Sequence, residues 1–455
     1  MGEKRRRVSD WLKTAPPAAF ALYAMFAGFA TYFCMYAYRK PFAAAKFEGL
    51  KFLGTQVNLK TAFIVSQIVG YTLSKYVGIK VVSEATANRR AAMLVAMILF
   101  AELALLAFAV LPEDWKVMAI FCNGLPLGMV FGLVVWYLEG RRSSDLLLTG
   151  MSCSLIVASG SVKAAGLYLM SWFALSEWWM PFVTGLVFLP FLLASTWFLN
   201  QLPAPNADDI AARTLRAPMD GTQRLRFIRQ FFTGLFLLIA VYFFLTAYRD
   251  FRDNYQVDLY AEFGYTNKDL IFWSELGVAI PVMLAMATLN LVKDNRLGLL
   301  GAYVIMAAGL ILMGGGTFLL DLGSISGFWW IVLMGIGVFL AYVPYNTVLF
   351  DRLIATTRFS GTAVFAIYVA DAIGYTGSIG VTLYKDLGQS DMSRVGFFRI
   401  CSYFLCIVGT LLLLGSCWFF LRRRWSENAN PSFSGEPETF SGEPPASAGP
   451  TNQPS

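Results

Sequence analysis

Tyr36-Ala37-Tyr38-Arg39-Lys40-Pro41-Phe42-Ala43 is the stretch whose reading decides the fold. It closes an apolar run that begins near Pro17, so hydropathy puts Arg39 at or inside a membrane. An arginine there is costly and by default has a functional reason. A second copy follows at Tyr242-Phe243-Phe244-Leu245-Thr246-Ala247-Tyr248-Arg249-Asp250, again an apolar helix reaching Ala-Tyr-Arg. The offset is 210 residues (249 − 39), close to half of the hydrophobic part of the chain. Helix formers at Ala43 to Ala45 are expected to carry the first helix past Arg39.

Working outward, the chain has the composition of a membrane protein: 57% hydrophobic and 14% charged, far below the usual charged share of soluble domains. Apolar runs long enough to span a bilayer as helices recur at 17–42, 57–79, 91–111, 116–138, 146–172, 179–200, 230–253, 268–291, 297–320, 328–350, 359–384 and 396–421. The expected fold is an all-α membrane protein of twelve transmembrane helices in two pseudo-symmetric six-helix halves. The expected parts are an N-terminus (1–16), an N-terminal half (17–200), a linker (201–229), a C-terminal half (230–421) and a tail (422–455). A short amphipathic helix is expected around 207–216. The Ser/Pro/Gly/Glu-rich tail repeats Phe-Ser-Gly-Glu-Pro and is expected to be disordered. Most Lys and Arg lie in alternate loops, including both chain ends and the linker. That pattern puts both termini in the cytoplasm of a multi-pass protein in the inner or plasma membrane.

The net charge of +7 comes from short clusters between apolar spans and signals topology rather than nucleic acid. The chain has no histidine, which removes imidazole acid–base chemistry and histidine metal sites. Its six cysteines have no metal-site spacing and read as small core residues. No metal or cofactor is expected, and no enzyme: a lipid-modifying activity would need a nucleophile elbow or an acidic metal cluster that the sequence lacks. The expected partners are a small anion and the lipid bilayer, and the expected state is a monomer.

The two halves agree at further anchors. Glu139 closes the fourth span and Asp351 the tenth, and Lys163 in the fifth corresponds to Asp371 in the eleventh (371 − 163 = 208). Parallel six-helix repeats joined by a loop are the architecture of major facilitator transporters. In that architecture Arg39 and Arg249 face each other across a central cavity. Two guanidiniums converging there would grip a phosphate or carboxylate with a geometry lysine cannot match. Tyr32, Tyr36, Tyr242 and Tyr248, at helical spacing from the arginines, and Asn123, Tyr345 and Asn346, on the fourth and tenth helices, are the expected polar lining, with Lys75. Helix depths suggest two pairs between the halves, Lys163–Glu275 and Lys75–Asp371, free to break and re-form as the halves rock. Glu102, on a peripheral third helix, gets no role.

These residues resemble the organophosphate:phosphate antiporters of the major facilitator superfamily. The resemblance rests on Tyr36 followed by Arg39-Lys40-Pro41-Phe42-Ala43, on Gly70-Tyr71-Thr72-Leu73-Ser74-Lys75-Tyr76, on Val241-Tyr242…Arg249, on Glu275 before Ile280-Pro281, and on Gly374-Tyr375-Thr376-Gly377. It implies that Arg39 and Arg249 bind a substrate phosphate and that Lys75 lines the cavity. The chain departs from that family at the fifth helix, where apolar Ile156 and Val157 stand near a substrate histidine's place. It departs also in the loop after Gly78, which reads Lys80, Ser83, Glu84 and Arg89-Arg90, and Asp371 has no obvious counterpart there. The pattern reads as a divergent branch. Two other readings fit the same residues: a proton-coupled anion symporter with Asp371 or Glu275 titrating, and a transporter-fold sensor that binds the anion without moving it.

Overall fold

The computed structural model describes residues 2–83, 89–139, 141, 144–205, 209, 221–357, 363–388 and 391–422. Apart from residue 209, the expected helix near 207–216 lies outside the described residues, as does the tail beyond 422. A bilayer core offers no water to backbone N–H and C=O groups, so apolar segments crossing it satisfy them internally as helices. After α1 (Gly2–Thr14) come α2 (Pro17–Arg39), α3 (Leu59–Ser83), α4 (Arg90–Val110) and α5 (Glu113–Leu138). The sixth and seventh helices, α6 (Ser144–Ser152) and α7 (Ser154–Phe173), form one broken span, and α8 (Met180–Leu199) completes the first half. The second half holds α9 (Gly221–Glu262), α10 (Asp269–Asn290), α11 (Asn295–Asp321), α12 (Gly327–Thr347), α13 (Leu349–Thr357), α14 (Ala363–Gly388) and the final span. That span runs through α15 (Arg394–Phe404), a π-turn at Leu405–Gly409 and α16 (Thr410–Arg422).

Among the described residues, ten of these segments are long and apolar enough to cross a membrane. The more polar α3 and α14, which carry Lys60, Gln67 and Lys75, and Asp371, Lys385 and Asp386, complete the twelve. Successive helices alternate in direction. One face therefore holds both chain ends (the terminal face), and the opposite face holds the loops after α2 and α9 (the far face).

Two expectations about the decisive stretch are corrected. The first helix does not run on into Ala43–Ala45: it stops at Arg39, and Pro41–Ala44 form a 3-10 turn. Pro41 supplies no N–H and disfavours helical backbone at Lys40, so the α-helix ends there. Nor does the seventh span end at 253. Helix α9 continues nine residues (262 − 253) to Glu262, about 14 Å further at the usual rise.

Helices α3 and α5 pack closely because Gly124 lets their backbones touch; a Cβ there would lie 2.4 Å from the Gln67 carbonyl oxygen. The two halves meet along α3 against α14 and α7 against α10.

Candidate functional site

Arg39 is 5% exposed. Its roof is the segment after it, where Phe42, Ala43, Ala44, Ala45 and Phe47 are all buried. That segment is held down by Glu177, whose carboxylate accepts the N–H groups of Lys46 and Phe47 at 2.9 and 3.0 Å. Snorkelling to an interface is thereby excluded for Arg39. Its guanidinium carbon lies 3.9 Å from the centre of the Tyr71 ring and 6.0 Å from that of Tyr36, a desolvated cation–π arrangement. Gln67 donates to the Arg39 carbonyl oxygen (2.9 Å) and to Asn123 Oδ1 (2.8 Å). Asn123 in turn donates to the carbonyls of Tyr38 and Ala101. Asn123 is thus a tether behind Arg39 rather than part of a cavity wall.

In the other half, Arg249 lies 4.1 Å from the centre of the Tyr342 ring and pairs with Asp250 at 2.6 Å. Tyr375 of α14 stands between the halves, its ring 5.3 Å from that of Tyr71, close enough to both guanidiniums to feel their charge. Toward the terminal face, Lys75 and Asp371 form an ion pair between the halves. Tyr242 donates to Asp371 (2.6 Å), and its oxygen is left to accept from the Tyr342 hydroxyl (3.0 Å) and from Asn346 (3.3 Å).

Toward the far face the halves are joined by a polar seam. Lys40 binds Asp253 (2.6 Å) and donates to Asn254 Oδ1 (2.8 Å). Lys163 reaches Asp253 (3.1 Å) and Gln256 (2.9 Å), and Ser159 donates to the same carboxylate. Beyond it lie Lys60–Asp258 (2.6 Å), Thr61–Tyr255 (2.7 Å) and Asn58–Asp386 (3.0 Å). In four ion pairs that cross between the halves (Lys40–Asp253, Lys60–Asp258, Lys75–Asp371 and Lys163–Asp253), the lysine comes from the first half and the carboxylate from the second. Arg39 differs from these lysines: among the described residues no carboxylate lies within ion-pair distance of it, and its buried Nε has no hydrogen-bond partner.

The expected site residues therefore sort unevenly. Arg39, Tyr36, Lys75, Arg249, Tyr242, Asn346 and Asp371 gather around one centre, with Tyr32 edge-on to Tyr36 at 5.7 Å. Two tyrosines do not. Tyr248 bonds Ser402 (2.7 Å) and stacks on Phe398 at 4.1 Å, inside the second half. Tyr345 donates to the Leu238 carbonyl and packs behind Tyr242. The pairing of Lys163 with Glu275 is corrected too: Lys163 holds Asp253, while Glu275 binds Arg252 (2.9 Å) and accepts from Gln256. Lys163 and Glu275 are linked through Gln256, which accepts from the one and donates to the other. Glu102 is buried at 5% exposure, near Gly185 and without hydrogen-bond partners among the described residues.

Tyr71, Tyr342, Tyr375, Lys40, Asp250, Asp253 and Gln67 were not picked out as site residues from the sequence. The signal for some was present: Asp250 follows Arg249, Lys40 follows Arg39, and Tyr71 and Tyr375 sit in glycine-flanked motifs. A cavity of about 440 Å³ lined by Phe232, Phe236, Phe243 and Ile373 is apolar and lies away from these charges.

Two six-helix halves around a central polar site define the major facilitator fold. The chain is similar to the crystal structure of a D-xylose-proton symporter, with a TM-score of 0.59 at 12% identity, over 90% of this chain and 98% of that one. A comparison with curated proteins finds no match. Residues 41–423 match the family of unknown function DUF5690, and the protein belongs to that family.

Proposed function

We propose that the protein is an alternating-access secondary transporter for a small anion, phosphate or a phosphorylated metabolite, with Arg39 and Arg249 as the grip. The observation that carries this is the charge pattern around Arg39. Lys40, Lys60, Lys75 and Lys163 each reach a carboxylate of the other half, whereas Arg39 is buried without one. A buried, unneutralised guanidinium costs several kcal/mol by general experience. An anion taken from solution fills the missing place and can bridge to Arg249. Tyr36, Tyr71 and Tyr375 shape the space around it, and Lys75 adds a third cation once its pair with Asp371 opens.

Alternating access follows from the seam. Contacts from Asn58–Asp386 to Lys40–Asp253 close the far side of the site, and a rocking of the halves has to break them. The basic loops support a cytoplasmic terminal face, and in that orientation the seam lies on the outer side of the site. The resemblance of the Tyr36–Ala43 and Ser74-Lys75 motifs to organophosphate:phosphate antiporters supports a phosphate-bearing substrate.

The test is counterflow in proteoliposomes loaded with inorganic phosphate, with labelled phosphate and a panel of glycerol and sugar phosphates outside. Exchange of at least one of them supports transport. Saturable binding with no exchange would favour a sensor. A rate that follows an imposed proton gradient would favour symport.

A further inference from the structure

The internal repeat pairs Lys40 with Asp250 at the same 210-residue offset (250 − 40) that relates the two arginines. The charge after the arginine is therefore reversed between the halves. Lys40 reaches out to Asp253 and Asn254. Asp250 instead turns back on its own neighbour: one carboxylate oxygen accepts from Arg249 at 2.6 Å and the other from Ser378 Oγ of α14 at 2.8 Å. It is 3% exposed, and the charges of Arg39 and Lys40 also bear on it.

We propose that Asp250 is a built-in counter-anion, holding Arg249 in the unloaded protein and displaced by the bound anion. This rests on the reading of the arginine pair as the anion site. A carboxylate on a guanidinium is the contact a substrate carboxylate or phosphate would itself make. Being tethered, Asp250 competes at high effective concentration. It keeps Arg249 from standing bare in a buried site and lowers the affinity for the incoming anion. The two arginines then have different jobs: Arg39 receives the anion, and Arg249 exchanges one anion for another. Ser378 fixes the resting position of the competitor.

The purified full chain in detergent tests this by thermal unfolding, titrated with sodium phosphate against sodium chloride at matched ionic strength. Stabilisation by a ligand reports its apparent affinity. Removing a charged competitor by Asp250→Asn should lower the half-saturating phosphate concentration by roughly tenfold or more. Ser378→Ala, which only unpins the carboxylate, should shift it the same way by less. If phosphate stabilises the wild type and neither variant is more sensitive, the proposal is overturned while the anion site stands. If only the variants respond, Asp250 is the competitor and phosphate is not the wild type's substrate. If none responds, both readings fall. Should Asp250→Asn not fold, Ser378→Ala decides.

Discussion

Arg39 and Arg249 are equals in the repeat but not in their surroundings. Each stacks on a tyrosine, yet Arg249 has a carboxylate and Arg39 has none within ion-pair distance among the described residues. Sequence made both arginines legible because a charge inside an apolar run is expensive, whereas the choice of partner was legible only in part. Depth arithmetic led correctly from Lys75 to Asp371. It led from Lys163 to Glu275 wrongly, because the competing carboxylate, Asp253, stands at the last residue of the expected seventh span and was given no role. The Lys75–Asp371 pair is nearly buried, with side chains 16% and 10% exposed. Removing one partner leaves the other uncompensated. Asp371→Asn should destabilise the protein by roughly 3 kcal/mol or more, read as a lower melting temperature. Each single reversal, Lys75→Asp or Asp371→Lys, should abolish exchange, and the double reversal should restore part of it. A double reversal as inactive as the singles would show that the pair does not act as a unit.

At the scale of elements, α9 carries the lesson. Tyr242, Thr246, Arg249, Asp250, Asp253 and Gln256 follow one another along α9 at helical spacing; the first four lie nearest the site, and Asp253 and Gln256 meet Lys40 and Lys163 of the first half. Hydropathy ended the span near 253 because it scores the charged residues there as loop; lysines of the other half neutralise Asp253 and Asp258 instead. The break at Arg39 was legible in principle, since Pro41 forbids the continuation that Ala43–Ala45 suggested. The α3–α5 contact positions the first arginine, because Gln67 and Tyr71, which hold it, sit where the two backbones touch. Gly124→Ala would push α3 away. We expect a loss of about 1–3 kcal/mol in stability, as for other overpacked contacts, together with weaker phosphate binding. A variant with lower stability but unchanged affinity would separate the packing of α3 from the placement of Arg39.

For the whole molecule, the two-half fold was readable from twelve spans, one repeat offset and the loop charges, whereas the division of charge between the halves needed three dimensions. First-half lysines meet second-half carboxylates both in the seam and, at Lys75–Asp371, toward the terminal face. Asn58 and Asp386 join the halves near the far face at 3.0 Å. Cysteines introduced at both positions, after replacement of the six native ones, should cross-link on oxidation and stop exchange reversibly; undiminished exchange in the cross-linked protein would mean that the seam does not open during transport. The measurement that bears most directly on the central claim is phosphate exchange in proteoliposomes by the wild type and by Arg39→Lys. The substitution keeps the charge and removes the planar fork and the ring stacking. The account predicts exchange by the wild type and a fall of at least tenfold in the variant at equal protein incorporation. Equal exchange by the two proteins would contradict the claim that Arg39 grips the anion.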